Sequence, residues 1–210
     1  LVHVQAEVQP RGNPHPLVVE QRQAAQHLAR AVGKHQRVVF TFGAQVAAAL
    51  GLPYAFASHF APRMLGEALA AYRRLFTPSN RPGAPQRPHV MLGVNVVAAD
   101  TDEEAQYLLT TLQQVFVNLR RAQPGQVPPP RRGFLDEIAP WERAALDETL
   151  ACTFAGTPDA VCESLEALAV RTGADELIVS TPIFDHGERV RSLQRLARAA
   201  RLQDLATMAR

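Results

Sequence analysis

From Val38 to the C-terminus, short apolar runs alternate with stretches that carry their apolar residues at helical spacing, and this alternation constrains the fold more than any other feature. The run "RVVFTF" reads as a strand or the remains of one, followed by an Ala-rich helix over residues 43–50. "PYAFASHF" reads as a strand bounded by Pro53 and Pro62. In "PRMLGEALAAYRRLF", Met64, Leu65, Leu69, Tyr72 and Phe76 fall at helical spacing, and Pro78 ends the helix. After a proline-rich loop comes "HVMLGVNVVAA", the most strand-like run in the chain. Asp100 or Thr101 caps the next helix, and Asp102, Glu103 and Glu104 put negative charge in its first turn, where the macrodipole favours it. That helix is expected to run to about Leu119, followed by a long surface loop, "RRAQPGQVPPPRRG", and a shorter helix near Trp141–Leu150. Thr157-Pro158 and Gly173 bracket another helix, "ADELIVST" is the last strand, and a closing helix follows. Strands that alternate with helices in this way form a parallel sheet with helices packed outside it. Four such units are half of an eight-unit barrel, so the expected class is α/β, a partial (β/α)8 TIM-type barrel of parallel strands with outer helices.

The 210 residues, 47% of them hydrophobic, suffice to bury one sizeable core. Basic and acidic residues nearly cancel, 22 against 20, so no chain-wide field is available to hold nucleic acid or an anionic membrane, and small-molecule chemistry is the better expectation. Residues 38–58 carry no formal charge and are long enough for a membrane span, but Gly51-Leu52-Pro53 interrupts them, and two buried strands around a short helix account for them better. No secretory leader is evident, and the expected location is cytoplasmic. Cys152 and Cys162 lie in a span read as the entry and first half of one helix; with no Cys/His ligand spacing beside them, they read as reduced, packed thiols, and no metal site is expected.

The first forty residues stand apart. They hold four of the seven histidines, the only lysine and no aspartate, with five basic residues against two acidic ones. Pro10, Pro14 and Pro16 oppose regular structure, while residues 18–32 are compatible with one helix. A basic functional arm is one reading, but a poorly ordered, non-native or misframed extension fits the composition better, so the chain divides at sequence level into residues 1–40 and 41–210. Nucleic-acid binding by the arm lacks the aromatic interleaving or module that would support it.

Several segments occur in one order: "LGLPYAF" with "FASHF", "GVNVVAADTDEEA", "GTP" and "GADELIV". Together they resemble the C-terminal half of bacterial luciferase-like flavin-dependent monooxygenases, from roughly Phe42 to Ala197. The resemblance implies a barrel that binds reduced FMN, or in some relatives a deazaflavin, at the C-terminal ends of its strands and uses O2 to oxidise a small organic substrate. A flavin reductase would supply the reduced cofactor. The protein's share would be placement and exclusion of water, so no triad or carboxylate pair is required. Members carry a Gly-Ser-Ser-like turn for the flavin phosphate just before this segment; here Val38, Val39 and Phe40 stand there. The departure points to a truncated or misframed chain. A competing reading is a catalytically inactive half-barrel, or interaction subunit, that pairs with another chain, a homodimer being expected because an open sheet exposes its edges.

Strand ends supply the candidate residues. Ser58 and His59 lie at the end of "PYAFASHF"; His59 is the catalytic candidate, through proton transfer, and Ser58 a cofactor contact. Asn95 in mid-strand, Thr157 at a helix start, and Ser180 and Thr181 at the last strand's end are further cofactor-binding candidates. Each also has a structural reading: a satisfied buried polar group for Ser58, His59 and Asn95, and a helix cap for Thr157. Asp185 and His186 read as surface-turn residues, Trp141 as helix packing, Arg131 and Arg132 as a solvated loop or a lid, and Met64, Met91 and Met208 as packing residues.

Overall fold

The computed structural model of the chain describes residues 4–6 and 36–200. Their elements are β1 (Val4–Ala6), α1 (Gln36–Ala49), β2 (Tyr54–Phe56), a 3-10 turn (Pro62–Met64), α2 (Leu65–Leu75), β3 (Val90–Ala98), α3 (Asp102–Arg120), a second 3-10 turn (Phe134–Asp136), α4 (Pro140–Thr149), β4 (Thr153–Gly156), α5 (Pro158–Thr172), β5 (Glu176–Ser180) and α6 (His186–Ala199). They fall into two compact units, a sheet unit containing residues 4–6, 55–63 and 90–200, and a helical unit containing residues 36–54 and 64–89.

In the sheet unit the strand order is β1-β5-β3-β2, with β4 also paired to β3. The β1–β5, β5–β3 and β3–β4 pairs are parallel. Strand β3 is hydrogen-bonded on both edges, because the N–H and C=O of one residue in an extended chain point the same way and alternate along it. The carbonyl of Val90 accepts from Asp175 on the β5 side, whereas Gly93 accepts from His59 and Asn95 donates to Cys152 on the other. A strand so enclosed is apolar at nearly every position: Val90, Leu92, Val94, Val96, Val97 and Ala98 are all buried. Each such Val or Leu contributes about 1.5–3 kcal/mol by leaving water. The parallel α/β sheet with helices around it is the class the sequence predicts, and its open form is that of part of a barrel.

Helix α3 begins as its sequence requires, with Thr101 Oγ1 accepting from the Glu104 N–H at 3.2 Å. Its Ala105, Leu108 and Leu109 pack with Val97, Ala99 and Ile183. Further along, Val117 packs with Phe134, Ile138 and Leu146. The loop between α3 and α4 is held against α3: Gln114 Nε2 donates to the Pro129 carbonyl at 2.9 Å, and the Arg131 N–H donates to Thr110 Oγ1 at 2.8 Å. Helix α5 ends at Gly173, whose φ of 61° is the left-handed cap predicted for it.

In the helical unit α1 packs on α2, and Tyr72 is buried at its centre. The Tyr72 hydroxyl donates to the Leu52 carbonyl at 2.7 Å and accepts from the His89 N–H at 3.1 Å. The Tyr72 ring lies 5.1 Å from that of Tyr54.

Four sequence expectations need correction. "RVVFTF" is no strand but the first part of α1, which runs on through Gly43 into the Ala-rich stretch, where Ala44 and Ala48, one helical turn apart, are both buried. "PYAFASHF" keeps only Tyr54–Phe56 as strand, since Ser58 N–H turns back to the Phe56 carbonyl. A strand, β4, was not predicted; it lies between Cys152 and Cys162, so the two free cysteines are not in one helix. Within the first forty residues, Val4–Ala6 pairs with β5 as β1. The helix expected over 18–32, most of that extension, and Met208 lie outside the described residues.

Gly51 has φ 62°, and a Cβ there would lie 2.7 Å from the backbone at Thr77 and Ser79. Gly51→Ala is expected to cost roughly 1–3 kcal/mol in chemical denaturation. Gly66→Ala, in α2 with nothing within 4 Å of its Cβ, is expected to gain about 0.5–1 kcal/mol. Equal effects at the two positions would contradict this assignment of the turn.

Candidate functional site

A polar row crosses the sheet unit at the C-terminal end of β5, the middle of β3 and the first residue of β4. Asn95 of β3 is in register with Thr153 of β4 and with Ser180 of β5. Residues paired across parallel strands share a face, so the three side chains lie side by side. Asn95 Nδ2 donates to Thr153 Oγ1 at 3.3 Å, and Asn95 is buried while Ser180 is exposed. Two residues earlier on the same face stands Gly93. A Cβ at Gly93 would come within 2.8 Å of both Cε1 and Nδ1 of His59. The imidazole therefore rests on the backbone of β3, beside the row, at a place only glycine leaves open.

The turn after β2 carries His59 there. Ser58 Oγ donates to the Gly93 carbonyl at 2.6 Å and the His59 N–H donates to the same oxygen at 3.1 Å. Two donors on one acceptor pin the turn to β3. Ser58 is fully buried and also hydrogen-bonds the Cys152 thiol, whose pKa burial pushes up. The His59 ring lies 4.2 Å from that of Phe60, which is exposed. Burial lowers the pKa of His59 below its ordinary value, and the Gly93 backbone opposes this in part. The imidazole is thus neutral at physiological pH, able to accept at one nitrogen and donate at the other. Its Nδ1 is buried and has no hydrogen-bond partner among the described residues, and neither has the buried Thr181 Oγ1 next to Ser180. Buried polar atoms are nearly always paired, so His59 Nδ1 on the backbone of β3 and Thr181 Oγ1 just past the end of β5 stand out, as do Thr111 Oγ1, Gln113 Oε1 and Arg195 Nη1 among the described residues.

Of the predicted site residues, Ser58, His59, Asn95 and Ser180 are brought to this face, with Thr181 following at the end of β5. Thr157 is not part of the row. Its side chain makes no cap, and its N–H donates to Asp102 Oδ1 at 2.9 Å, an acceptor from a distant helix start that sequence spacing does not reveal. Asp185 caps α6 by accepting from the Glu188 N–H at 2.9 Å, and His186 sits near Arg189, so the two do not form a pair. Trp141 is exposed instead of packed. Arg132 pairs with Glu103 and lies 4.7 Å over the Tyr107 ring, beside an open groove of about 270 Å³ also lined by Thr110, Phe134 and Arg143. Gly93 and Thr153 were missed from sequence. An isolated glycine inside so apolar a strand was a usable signal of close approach by another group. No three His, Cys, Asp or Glu side chains converge as a metal site among the described residues, and no helix there is long and apolar enough to cross a membrane.

Residues 40–176 match the model of the luciferase-like monooxygenase family. The chain belongs to that family. It is 42% identical over 153 residues to a luciferase-like monooxygenase of Escherichia coli (strain K12), covering 73% of this chain and 45% of the relative. It is likewise 42% identical over 157 residues to the uncharacterized protein YvbT of Bacillus subtilis (strain 168), covering 74% of this chain and 46% of that one. The chain thus spans about half the length of the curated relatives it matches. Among solved structures, apo-MsnO8 superposes with a TM-score of 0.62 at 32% identity, over 78% of this chain and 49% of its own.

The partly buried imidazole of His59 makes stability depend on pH. A histidine whose folded pKa is lowered binds its proton more readily when unfolded, so stability rises with pH across the interval between the two values. Folding free energy is expected to decline as pH falls below about 6.5, the unfolded value. Denaturant titrations between about pH 7.5 and 5 on wild type and His59→Gln check this, because ordinary carboxylates titrate lower. The variant should show the shallower slope. Identical slopes would remove the assignment of His59 as a buried neutral group.

Proposed function

We propose that this chain is the C-terminal part of a flavin-dependent luciferase-like monooxygenase that acts on a small organic substrate with O2 and reduced FMN. The observation that carries the reading is the polar row of Asn95, Thr153 and Ser180, with the unpartnered His59 Nδ1 against Gly93 of the same strand as Asn95 and the unpartnered Thr181 Oγ1 just past β5, in a chain of this family. These groups fit the polar edge of an isoalloxazine ring, which offers carbonyl oxygens and ring nitrogens to neutral donors and acceptors. His59 would take a ring or substrate atom at Nδ1, Thr181 would donate or accept at its hydroxyl, and Asn95 would orient the ring through its amide. His59, neutral and seated on Gly93, is also the group able to accept a proton near the substrate. The bound flavin itself would supply the redox chemistry, as cofactors do. A deazaflavin is the less favoured alternative, and a separate flavin reductase would deliver the reduced cofactor. The family match over residues 40–176 supports a boundary near residue 40 between an atypical N-terminal extension, 1–40, and the segment 41–210 read as the half-barrel.

A second reading, a subunit completed by another chain, is favoured by the open sheet, whose outer strands carry backbone groups suited to pairing. A homodimer is the simplest such assembly.

Titration of the purified chain with FMN, oxidised and reduced, followed by flavin fluorescence, tests the first reading. Saturable binding in the micromolar range is expected, weakened by about tenfold in Thr181→Val if one net hydrogen bond is lost. Absence of binding at millimolar flavin would leave ancestry without the activity.

A further inference from the structure

We infer, on the flavin reading above, that Ser58 is a positioning residue: its hydroxyl, buried against β3, fixes where the His59 imidazole lies at the proposed ligand site. A serine hydroxyl carries one proton. That of Ser58 goes to the Gly93 carbonyl at 2.6 Å, so toward the Cys152 thiol, its other hydrogen-bonding neighbour, Ser58 can only accept and the thiol must donate. Burial keeps Cys152 in the protonated form this requires, by pushing its pKa up. Cys152 is itself tied to β3, since its carbonyl accepts from the Asn95 N–H at 3.1 Å. The hydroxyl is thus held on both sides by groups fixed to one strand. Ser58 is fully buried, so it acts through its neighbours and not by touching a ligand.

What it holds is the next residue. The His59 N–H donates to the same Gly93 carbonyl at 3.1 Å, and the ring lies over Gly93, where a Cβ would come within 2.8 Å of Cε1 and Nδ1. Nδ1 has no hydrogen-bond partner among the described residues, so the place of the ring is set by its backbone and by packing. The backbone here is a tight turn: the Ser58 N–H donates to the Phe56 carbonyl at 2.9 Å and the Phe60 N–H to the Ala57 carbonyl at 3.0 Å. Without the Ser58 hydroxyl the Gly93 carbonyl would keep one of these two donors, and the ring would gain freedom to lift off the strand. A ring that lifts gains water, which undoes the burial that lowers the His59 pKa. Its grip on a ligand weakens at the same time, because the polar atom no longer stands in one place. A serine that only filled space would change neither property.

The test is to follow the His59 Cε1–H resonance by NMR from about pH 8 to 4 in the intact 210-residue chain, and in parallel to titrate FMN by fluorescence, for wild type, Ser58→Ala, Cys152→Ala and Cys152→Ser. Loss of the resonance in His59→Gln identifies it. In Ser58→Ala the His59 midpoint is expected to rise toward the ordinary value of about 6.5, with FMN bound roughly fivefold to tenfold more weakly, the loss of about one net hydrogen bond. Cys152→Ala is expected to move the midpoint the same way by less, and Cys152→Ser, whose hydroxyl can donate to Ser58 as the thiol does, to leave it in place. A His59 midpoint unchanged in Ser58→Ala, with only the resistance to denaturant reduced, would overturn the inference. Should Ser58→Ala fail to fold, the Cys152 pair decides: equal His59 midpoints in wild type, Cys152→Ala and Cys152→Ser would overturn it as well. Failure of wild type to bind FMN would sink the flavin reading alone, since the His59 midpoints are read without any flavin.

Discussion

The enclosure of β3 is the constraint on which the sheet unit depends. A strand hydrogen-bonded along both edges and apolar on both faces leaves water almost completely, and Val90, Leu92, Val94, Val96, Val97 and Ala98 do so here. Residues outside the sheet are tied to it: Asp175 Oδ2, just before β5, accepts from the Val90 N–H at 2.8 Å, and Ser192 Oγ of α6 accepts from the Ala98 N–H at 2.8 Å. Through these contacts the rest of the unit takes its register from one strand.

The candidate site follows from two departures in that strand from pure hydrophobicity. Gly93 removes a side chain where the His59 ring lies, and Asn95 puts an amide where Thr153 and Ser180 come alongside. Burying polar atoms costs free energy unless partners are found, and the buried amide of Asn95 finds one in Thr153 whereas the buried Nδ1 of His59 has none among the described residues. Such local expense in an otherwise well-packed strand is what a binding face requires.

Local signals made much of the fold legible. Strand β3, the Thr101 cap of α3, the proline-rich loop, the Gly173 cap of α5 and β5 each announce themselves within a few residues, since turn chemistry and capping are short-range. The "RVVFTF" run misled because β-branched and aromatic residues favour strands, yet an uninterrupted Ala-rich continuation carries the helix back through them. Strand β4 escaped because "TFAG" is four residues long and its first three are only half-buried, so its pairing with β3 leaves little local mark. For the site, the strand-end rule led to Ser58, His59, Ser180 and Thr181, and a lone polar residue in an apolar run led to Asn95. It could not reveal that Asp102 occupies the N–H of Thr157 from 55 residues away, nor that Gly93 is the platform for His59, because both are long-range contacts.

The ligand site proposed for this chain is the face formed by Gly93, Asn95 and Ser180, with His59 lying on it. Amide chemical-shift mapping by NMR during addition of a flavin tests it most directly. Shifts are expected to concentrate at His59, Gly93, Asn95, Ser180 and Thr181. Shifts confined instead to Tyr107, Arg132, Phe134 and Arg143, along the groove beside α3, would contradict it.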